Sequence, residues 1–402
     1  MAPFLSTWDT GSDSYITLPL LSNGIYAFEV DWGDLTKTNV TSHEFGTHTY
    51  DLEGIYNLTI SGTIQGWQFN NAGDKDKLLV ISQWGDLQLG NVGSYFYGCT
   101  NLRVEASDAP DLSLTQSLHQ CFRACPVFDG NMSSWNTSSV TSFESMFRGA
   151  LVFNQSLDNF DTSIATSFKH MFDWAYDFNQ DINSWDTSSV TTFYHMFYCA
   201  YEFNQDINSW DTSSATYFTN MFDHAFDFNQ DINSWNTSKA TSFSYMFRQT
   251  AFNQPLQNWD TRRLTQCRNM FAWSPFNQDI NSWDTSQVTI LSYTFRGTNF
   301  NQDLNGWDTS RVTKFEYTFD SHDTFNQDLN SWDVSKGTRF DSMFELASSF
   351  NQPLDNWNTS RGTQFDWMFS TANTFNQDLN SWDVSKGTEF NRMCENSSNL
   401  VL

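Results

Sequence analysis

One segment of this chain repeats along most of its length. The stretch FNQDINSWDTS stands at residues 178–188 and again, unchanged, at residues 203–213. A unit of about 25 residues cannot bury its apolar side chains alone, so neighbouring copies must stack, and the chain is predicted to form a solenoid. The phenylalanine that opens the motif recurs every 24 or 25 residues, after a degenerate copy at Phe128, at Phe153, Phe178, Phe203, Phe228, Phe252, Phe276, Phe300, Phe325, Phe350 and Phe375.

Each copy has two parts with different periodicity. In the copy that begins at Phe178, Trp185 and Thr187 alternate with polar residues, which is typical of a half-buried strand. The segment VTTFYHMFYCA that follows, residues 190–200, spaces its apolar side chains as one face of one or two helical turns. We therefore predict a mainly β solenoid of about 11–12 strand-plus-helical-turn repeats.

Differences between copies indicate which way the side chains point. The position of Thr187 holds valine at Val334 and Val384, so it tolerates an apolar residue and is predicted to face the core. Trp185 lies two residues away and shares that face, which predicts a buried tryptophan ladder. The intervening residues are predicted to form a flat, outward interaction strip, the Ser-Asp-Ser strip, which contains Ser184, Asp186, Ser188, Ser209, Asp211 and Ser213.

The strip stacks acidic residues turn upon turn. Like charges about 5 Å apart repel by roughly 0.8 kcal/mol even in water, so another interaction must offset the repulsion. In one interpretation the side chain accepts backbone N–H groups within its own turn, and the asparagines found at positions 136, 236 and 358 could accept the same bond. The alternative is a Ca²⁺ column, because carboxylates are hard oxygen ligands. The acidic column comprises Asp186, Asp211, Asp260, Asp284, Asp308, Asp333 and Asp383.

The repeats resemble those of a known family. Over about residues 128–398 they follow the pattern FNQ-(D/P)-(I/L)-x-x-W-(D/N)-(T/V)-S-x-x-T-x-F-x-x-M-F, which resembles the BspA-like leucine-rich-repeat surface proteins. The resemblance implies a right-handed, leucine-rich-repeat-like solenoid used for adhesion or display, and it implies no catalytic mechanism. It also implies an extracellular, cell-surface or virion-surface location and a protein or glycan partner on a surface or within a large assembly. The first residues show no basic-then-apolar secretion signal.

The N-terminal region is similar to a PKD-type β-sandwich. The similar segments are DWGD at residues 31–34, HTY at residues 48–50 and alternating apolar residues at 56–60. Leu35 departs from the family pattern, which has glycine there, so a different turn is expected. The predicted domains are a PKD-like cap at 1–80, a lead-in with a degenerate repeat at 81–127 and the solenoid at 128–402.

Charge and motifs restrict the function. With 46 acidic and 20 basic residues the formal net charge is −26, which disfavours nucleic acid as a partner, and no apolar run is long enough for membrane insertion. The histidines of HEFGTH, residues 43–48, are five apart rather than the four that a helical zinc motif needs, and the other histidines are expected to form no convergent set. We expect a non-catalytic protein without a cofactor. Recognition of a glycan or of ice is the alternative function, and an enzyme is less favoured.

Two of the six cysteines share a column of the repeat. Cys99 and Cys125 each follow a phenylalanine, Phe96 and Phe122, by three residues. Stacked strands lie about 4.8 Å apart, which is within the Cα range of a disulfide. The alternatives are therefore a disulfide and a pair of small buried thiols in a column that elsewhere holds alanine.

Overall fold

The computed structural model describes residues 2–397. Two compact units make up the chain. The first contains the residues up to Val190 together with His195–Gln205, and the second contains Thr191–Tyr194 together with the residues from Asp206 onward. Copies of the repeat occur in both units.

All the named strands among the described residues lie near the start of the first unit. Two 3-10 turns, Gly11–Asp13 and His43–Phe45, accompany them. The strands are β1 Phe4–Asp9, β2 Tyr15–Thr17, β3 Leu20–Asp31, β4 Lys37–Val40, β5 Thr47–Thr49, β6 Ile55–Trp67, β7 Leu78–Gln83 and β8 Arg103–Val104. Six of them form one sheet in the order β4-β3-β6-β1-β7-β8, and β2 pairs with β5 in a second sheet.

Alternation of apolar and polar residues gives the large sheet one buried face. Val30 of β3 and Ile60 of β6 lie opposite each other in the antiparallel register, and both are buried. Trp8 of β1 and Trp67 of β6 are also fully buried, with ring centroids 6.4 Å apart. The alternating pattern of residues 56–60 thus lies on a central strand of the sheet.

The DWGD and HTY segments contact each other. The imidazole of His48 stacks on Trp32 with ring centroids 4.9 Å apart, and its Nε2 lies 2.7 Å from Asp34 Oδ2. This contact gives the second histidine of HEFGTH a structural environment. Leu35 adopts the left-handed conformation, with φ of 72°, which costs a residue other than glycine about 1 kcal/mol. The turn therefore has a glycine-like backbone at the position where the sequence departs from the family pattern.

From β6 onward, isolated parallel bridges join successive turns of the chain. In most copies of the repeat, the bridged residue stands between the threonine and the phenylalanine of the T-x-F motif, as Ser142 and Lys314 do. In the first unit one series joins Gln65, Gln88 and Asp111, and another joins Ser117, Ser142 and Ser167. In the second unit the series joins Thr192, Tyr217, Ser242, Gln266, Ile290, Lys314, Arg339, Gln364 and Glu389. Within each series, each turn therefore bonds to the next at a spacing of 23 to 25 residues.

The predicted helical turn is not supported, because the described residues contain no α-helix. Tyr245 and Gln249 have left-handed backbones with φ of 63° and 54°, and most copies repeat this pair of positions. The N–H groups of Tyr245, Phe247 and Gln249 donate to carbonyls of the next turn at 2.8–2.9 Å. The left-handed residues interrupt the helical path, so the N–H groups bond between turns instead of to the carbonyl four residues back.

The predicted short strand at residues 182–188 is likewise absent. These residues form turns, although their buried and exposed positions alternate as predicted. Phenylalanines fill the core beside them: Phe271 stacks on Phe276 with ring centroids 3.8 Å apart, and Phe276 stacks on Phe300 at 6.2 Å. The core is thus a set of aromatic columns in which each copy supplies one ring to each column.

The strand β8 extends the N-terminal sheet beyond residue 80. It lies in the predicted lead-in, residues 81–127, and pairs with β7 in parallel. The last residues of the predicted solenoid, 398–402, lie outside the described part of the chain. Within residues 2–397, no helix has the length and apolar character that crossing a bilayer requires.

Candidate functional site

The tryptophan ladder is buried, as the sequence predicts. In the second unit Trp259, Trp283 and Trp307 stack with ring centroids 6.3 and 6.4 Å apart and nearly parallel planes. The Trp283 indole Nε1–H donates to the carbonyl of Leu256 in the preceding turn at 3.1 Å. Every tryptophan of this column from Trp185 to Trp382 is at most 9% exposed. The column therefore serves the core and offers no open face for a sugar ring.

The threonine beside this tryptophan is also buried and links turns. Thr285 is 2% exposed, and its hydroxyl donates to the carbonyl of Asp308 in the next turn at 3.0 Å. The equivalent bond joins Thr162 to Asp186 in the first unit, at 3.1 Å. The threonine column that contains Thr162 and Thr285 therefore points into the core and offers no exposed face.

The Ser-Asp-Ser strip lies on the surface in both units. Ser184, Asp186 and Ser188 are exposed in the first unit. In the second unit Ser209 and Asp211 are exposed, and Ser213 is half-buried. Five of these six side chains are thus exposed, and the role of the strip in binding stays a prediction.

The acidic column closes a turn within each copy. Asp308 Oδ1 accepts the backbone N–H of Ser310 at 2.9 Å, and Asp333 Oδ1 accepts that of Ser335 at 2.9 Å. Asparagine makes the same bond, since Asn236 Oδ1 accepts the Ser238 N–H at 3.1 Å. The local hydrogen bond thus accounts for both residue types without a metal ion.

The same bonds lower the pKa of Asp308 and of Asp333. Hydrogen bonds from the hydroxyl and the N–H of Ser310 hold the pKa of Asp308 below its ordinary value, and Ser335 lowers the pKa of Asp333 in the same way. A lowered pKa in the folded state means that the carboxylates contribute stability above pH of about 4 and lose it as the pH falls through their folded pKa. Near neutral pH the strip is therefore negatively charged.

A second acidic column uses the same chemistry. Asp279 Oδ1 accepts the N–H of Asn281 at 2.9 Å, and Asp328 Oδ1 accepts that of Asn330 at 2.8 Å. Both aspartates are exposed. Each of these copies thus has two aspartates whose Oδ1 accepts a backbone N–H from the same copy.

The asparagine and glutamine of FNQ form a ladder that the sequence analysis did not identify. Asn277 Oδ1 accepts the backbone N–H of Asn301 at 2.9 Å and the amide of Gln302 at 3.0 Å, both in the next turn. The N–H of Asn277 donates to Asn253 Oδ1 in the preceding turn at 2.9 Å. The invariance of the FNQ letters between copies was the signal, because identical side chains stacked in register form amide ladders.

An aromatic and arginine face lies outside the strip in the second unit. Tyr293 and Tyr317 stack with ring centroids 4.5 Å apart, and Trp273 beside them is 46% exposed. The Arg296 guanidinium lies within 5.6 Å of all three ring centroids, and its Nε is 2.6 Å from Asp320 Oδ2. This group of residues, the aromatic face, combines flat aromatic rings with a guanidinium group that an ion pair holds in place.

Two clusters among the described residues could hold a cation. One contains His170, Asp173 and His195, and the other contains Asp341, Asp366 and Glu389. The first corrects the expectation that the histidines form no convergent set. His170 and His195 stand one repeat apart, so the period of 25 residues could have found them.

The two cysteines of the leading turns are buried thiols in the structure. Cys125 Sγ lies 3.0 Å from the carbonyl oxygen of Phe96, and burial raises the pKa of the Cys125 thiol to about 12. The aromatic rings of Phe96 and Phe122 stack 5.5 Å apart, which agrees with the predicted register of these turns. Whether Cys99 and Cys125 oxidise stays a prediction.

Comparison with known proteins identifies one family. A sequence model of the family described as "Mycoplasma protein of unknown function, DUF285" matches five overlapping stretches, at residues 90–204, 180–275, 250–336, 268–358 and 298–401. These stretches cover most of the chain and include every copy of the FNQ motif. No curated protein matches the chain, and no solved structure does.

Proposed function

The chain belongs to the DUF285 family of Mycoplasma proteins of unknown function, and from this premise we propose that it is a non-catalytic surface protein. It acts in adhesion, display or assembly through the Ser-Asp-Ser strip and takes a protein or glycan partner on a surface or within a large assembly. The observation that carries this proposal is the exposure of one carboxylate per turn in consecutive copies, Asp284, Asp308 and Asp333. A row of regularly spaced charges suits an extended partner with cationic groups.

The proposal includes the form of the array. Within each unit the turns coil as a right-handed, leucine-rich-repeat-like solenoid, and the N-terminal sheets act as a PKD-like cap. In support, the isolated bridges between the described turns are all parallel, and the bridge from Gln65 to Gln88 joins β6 to the turn that follows β7. A cap of this kind protects the end of a repeat array from solvent.

The net charge of the chain restricts the class of partner that it can bind. The net charge of −26 repels nucleic acid and anionic membranes, so the partner belongs to the class of basic proteins or glycans. A binding surface of many equivalent carboxylates loses little when one is removed. Several neighbouring charges must be removed together to weaken binding.

The test removes three charges and leaves the turns intact. The variant D284N/D308N/D333N keeps the oxygen that accepts the serine N–H, as Asn236 does. We expect its affinity for a cationic polypeptide, such as poly-lysine at physiological salt, to fall at least tenfold, as measured by biolayer interferometry. The matched control E44Q/D51N/E53Q removes three exposed charges from the N-terminal region and should bind like the wild type. Equal losses in both variants would show a net-charge effect and contradict the strip.

Glycan recognition is the second candidate, and the aromatic face favours it. The exposed ring of Trp273 could stack on a sugar, and Arg296, held by Asp320, could donate to hydroxyl groups. Trp273→Ala would then abolish signals on a glycan array, while D284N/D308N/D333N would keep them. The reverse pattern assigns binding to the strip.

A further inference from the structure

Two histidines and one carboxylate meet in the first unit, away from the strip. His170 and His195 hold the same position in consecutive copies, and both have left-handed backbones, with φ of 56° and 57°. Their ring centroids lie 4.8 Å apart. One nitrogen of each histidine and one oxygen of Asp173 lie within 4.8 Å of one another. The repeat thus gathers three groups that can each donate a lone pair to a cation.

The two oxygens of Asp173 have different surroundings. The side chain is fully buried, and its Oδ2 lies 2.6 Å from His170 Nδ1 and 3.0 Å from Arg148 Nε. Its Oδ1 is buried and has no hydrogen-bond partner. A buried acceptor without a donor destabilises the folded state, and more so when it is charged. Asp173 Oδ1 is therefore available to accept a hydrogen bond or to bind a cation.

In other copies, the aspartate at the position of Asp173 has hydrogen-bond donors for both of its oxygens. Asp223 is also fully buried, but Arg248 donates to both of its oxygens at 2.8 Å, and Asn220 donates to Oδ2 at 2.7 Å. Asp320 accepts from Arg296 on Oδ2 and from Ser321 on Oδ1. Asp173 differs from both in its unpartnered oxygen and in the histidine pair beside it.

We propose that His170, His195 and Asp173 bind a divalent transition-metal ion of the Zn²⁺ class. Two imidazoles and a carboxylate are typical ligands of this ion. Each imidazole would bind the ion through one nitrogen that has no proton, and Asp173 would bind it through one carboxylate oxygen, in place of the hydrogen bond between Asp173 and His170. Ligand atoms around tetrahedral Zn²⁺ lie about 3.4 Å apart, so small side-chain rotations complete the site. The ion would join two consecutive turns.

The guanidinium of Arg148 already pairs with Asp173 and would repel a bound cation unless it moved away. Its side chain is 34% exposed, so it reaches solvent and has room to turn away from Asp173. Lys169 is nearby in sequence but pairs with Glu144 at 3.3 Å. The carboxylate and the two neutral imidazoles then supply a net negative ligand set.

The experiment measures Zn²⁺ binding to the full chain after treatment with EDTA. Isothermal titration should give one saturable site with micromolar affinity, and His195→Gln should weaken that affinity at least tenfold. The control is His224→Gln, since His224 also contacts a buried carboxylate, Asp223, at 2.8 Å. We expect the control to bind Zn²⁺ like the wild type.

The absorption spectrum of Co²⁺ bound to the wild-type protein tests the site without any variant, so the result does not depend on whether the variants fold. Co²⁺ added to the wild-type protein should show ligand-field bands of a histidine-bound ion, and one equivalent of Zn²⁺ should remove them. Absence of a saturable site in the wild type would overturn the proposal. Equal affinities for the wild type and a folded His195→Gln variant would also overturn it.

Discussion

Replacing Trp283 by alanine is expected to lower the free energy of unfolding by about 3–5 kcal/mol. The side chain is 3% exposed and is stacked between two other indoles, so alanine would leave a cavity inside the column. The substitution also leaves the carbonyl of Leu256 without its indole donor. Urea unfolding followed by circular dichroism measures the loss.

Trp273 provides a control of the same residue type in the preceding copy. It is 46% exposed and lies outside the ladder, so Trp273→Ala should cost about 1 kcal/mol or less. Similar losses for the two variants would contradict the assignment of the ladder to the core. A large loss for Trp283→Ala alone would support it.

Replacing Asn277 by alanine should cost about 2–3 kcal/mol, the second large effect. The change removes the oxygen that accepts from Asn301 and Gln302 and leaves both donors without that partner. Asn277→Asp should stay within about 1 kcal/mol of the wild type, because a carboxylate can accept both bonds. The chain contains this arrangement, since Asp129 accepts from Asn154 and Gln155 at 3.0 and 2.9 Å. If the alanine and aspartate variants lost equal stability, the ladder would not be the cause.

The buried columns were predictable because copies of one chain serve as an internal comparison. Valine at Val334 showed that the Thr187 position faces the core, and Trp185 followed from the alternation. Both side chains are buried. The exposed position of Asp186 followed from the same argument, and the asparagine substitutions indicated its hydrogen bond to the backbone.

The local backbone was not predictable from periodicity. The spacing of Phe243, Met246 and Phe247 fits a helical face, but left-handed residues such as Tyr245 turn the chain between them. Tyrosine gives no signal for this conformation, and asparagine, which favours it, stands at the equivalent position in only some copies, such as Asn220 and Asn269. Bonds to the next turn, such as Tyr245 N–H to the carbonyl of Arg268 at 2.8 Å, favour the left-handed form, and periodicity does not reveal them.

The cation cluster was missed for a different reason. Only the recurring residues of the motif were aligned between copies. His170 and His195 occupy a variable position, which holds asparagine at Asn220 and tyrosine at Tyr245. Aligning the variable positions places the two histidines in adjacent turns. The unpartnered oxygen of Asp173 has no sequence signal and needed the packed structure.

The central claim is that the acidic column holds its own backbone turns and keeps its charge for a partner. Differential scanning calorimetry of the EDTA-treated wild type and of D284N/D308N/D333N, each with and without millimolar Ca²⁺, tests this claim most directly. Because asparagine accepts the same serine N–H, we expect similar melting temperatures for the two proteins and no response to Ca²⁺ in either. A rise of many degrees with Ca²⁺ in the wild type that the variant lacks would make the column a calcium ladder and contradict the account.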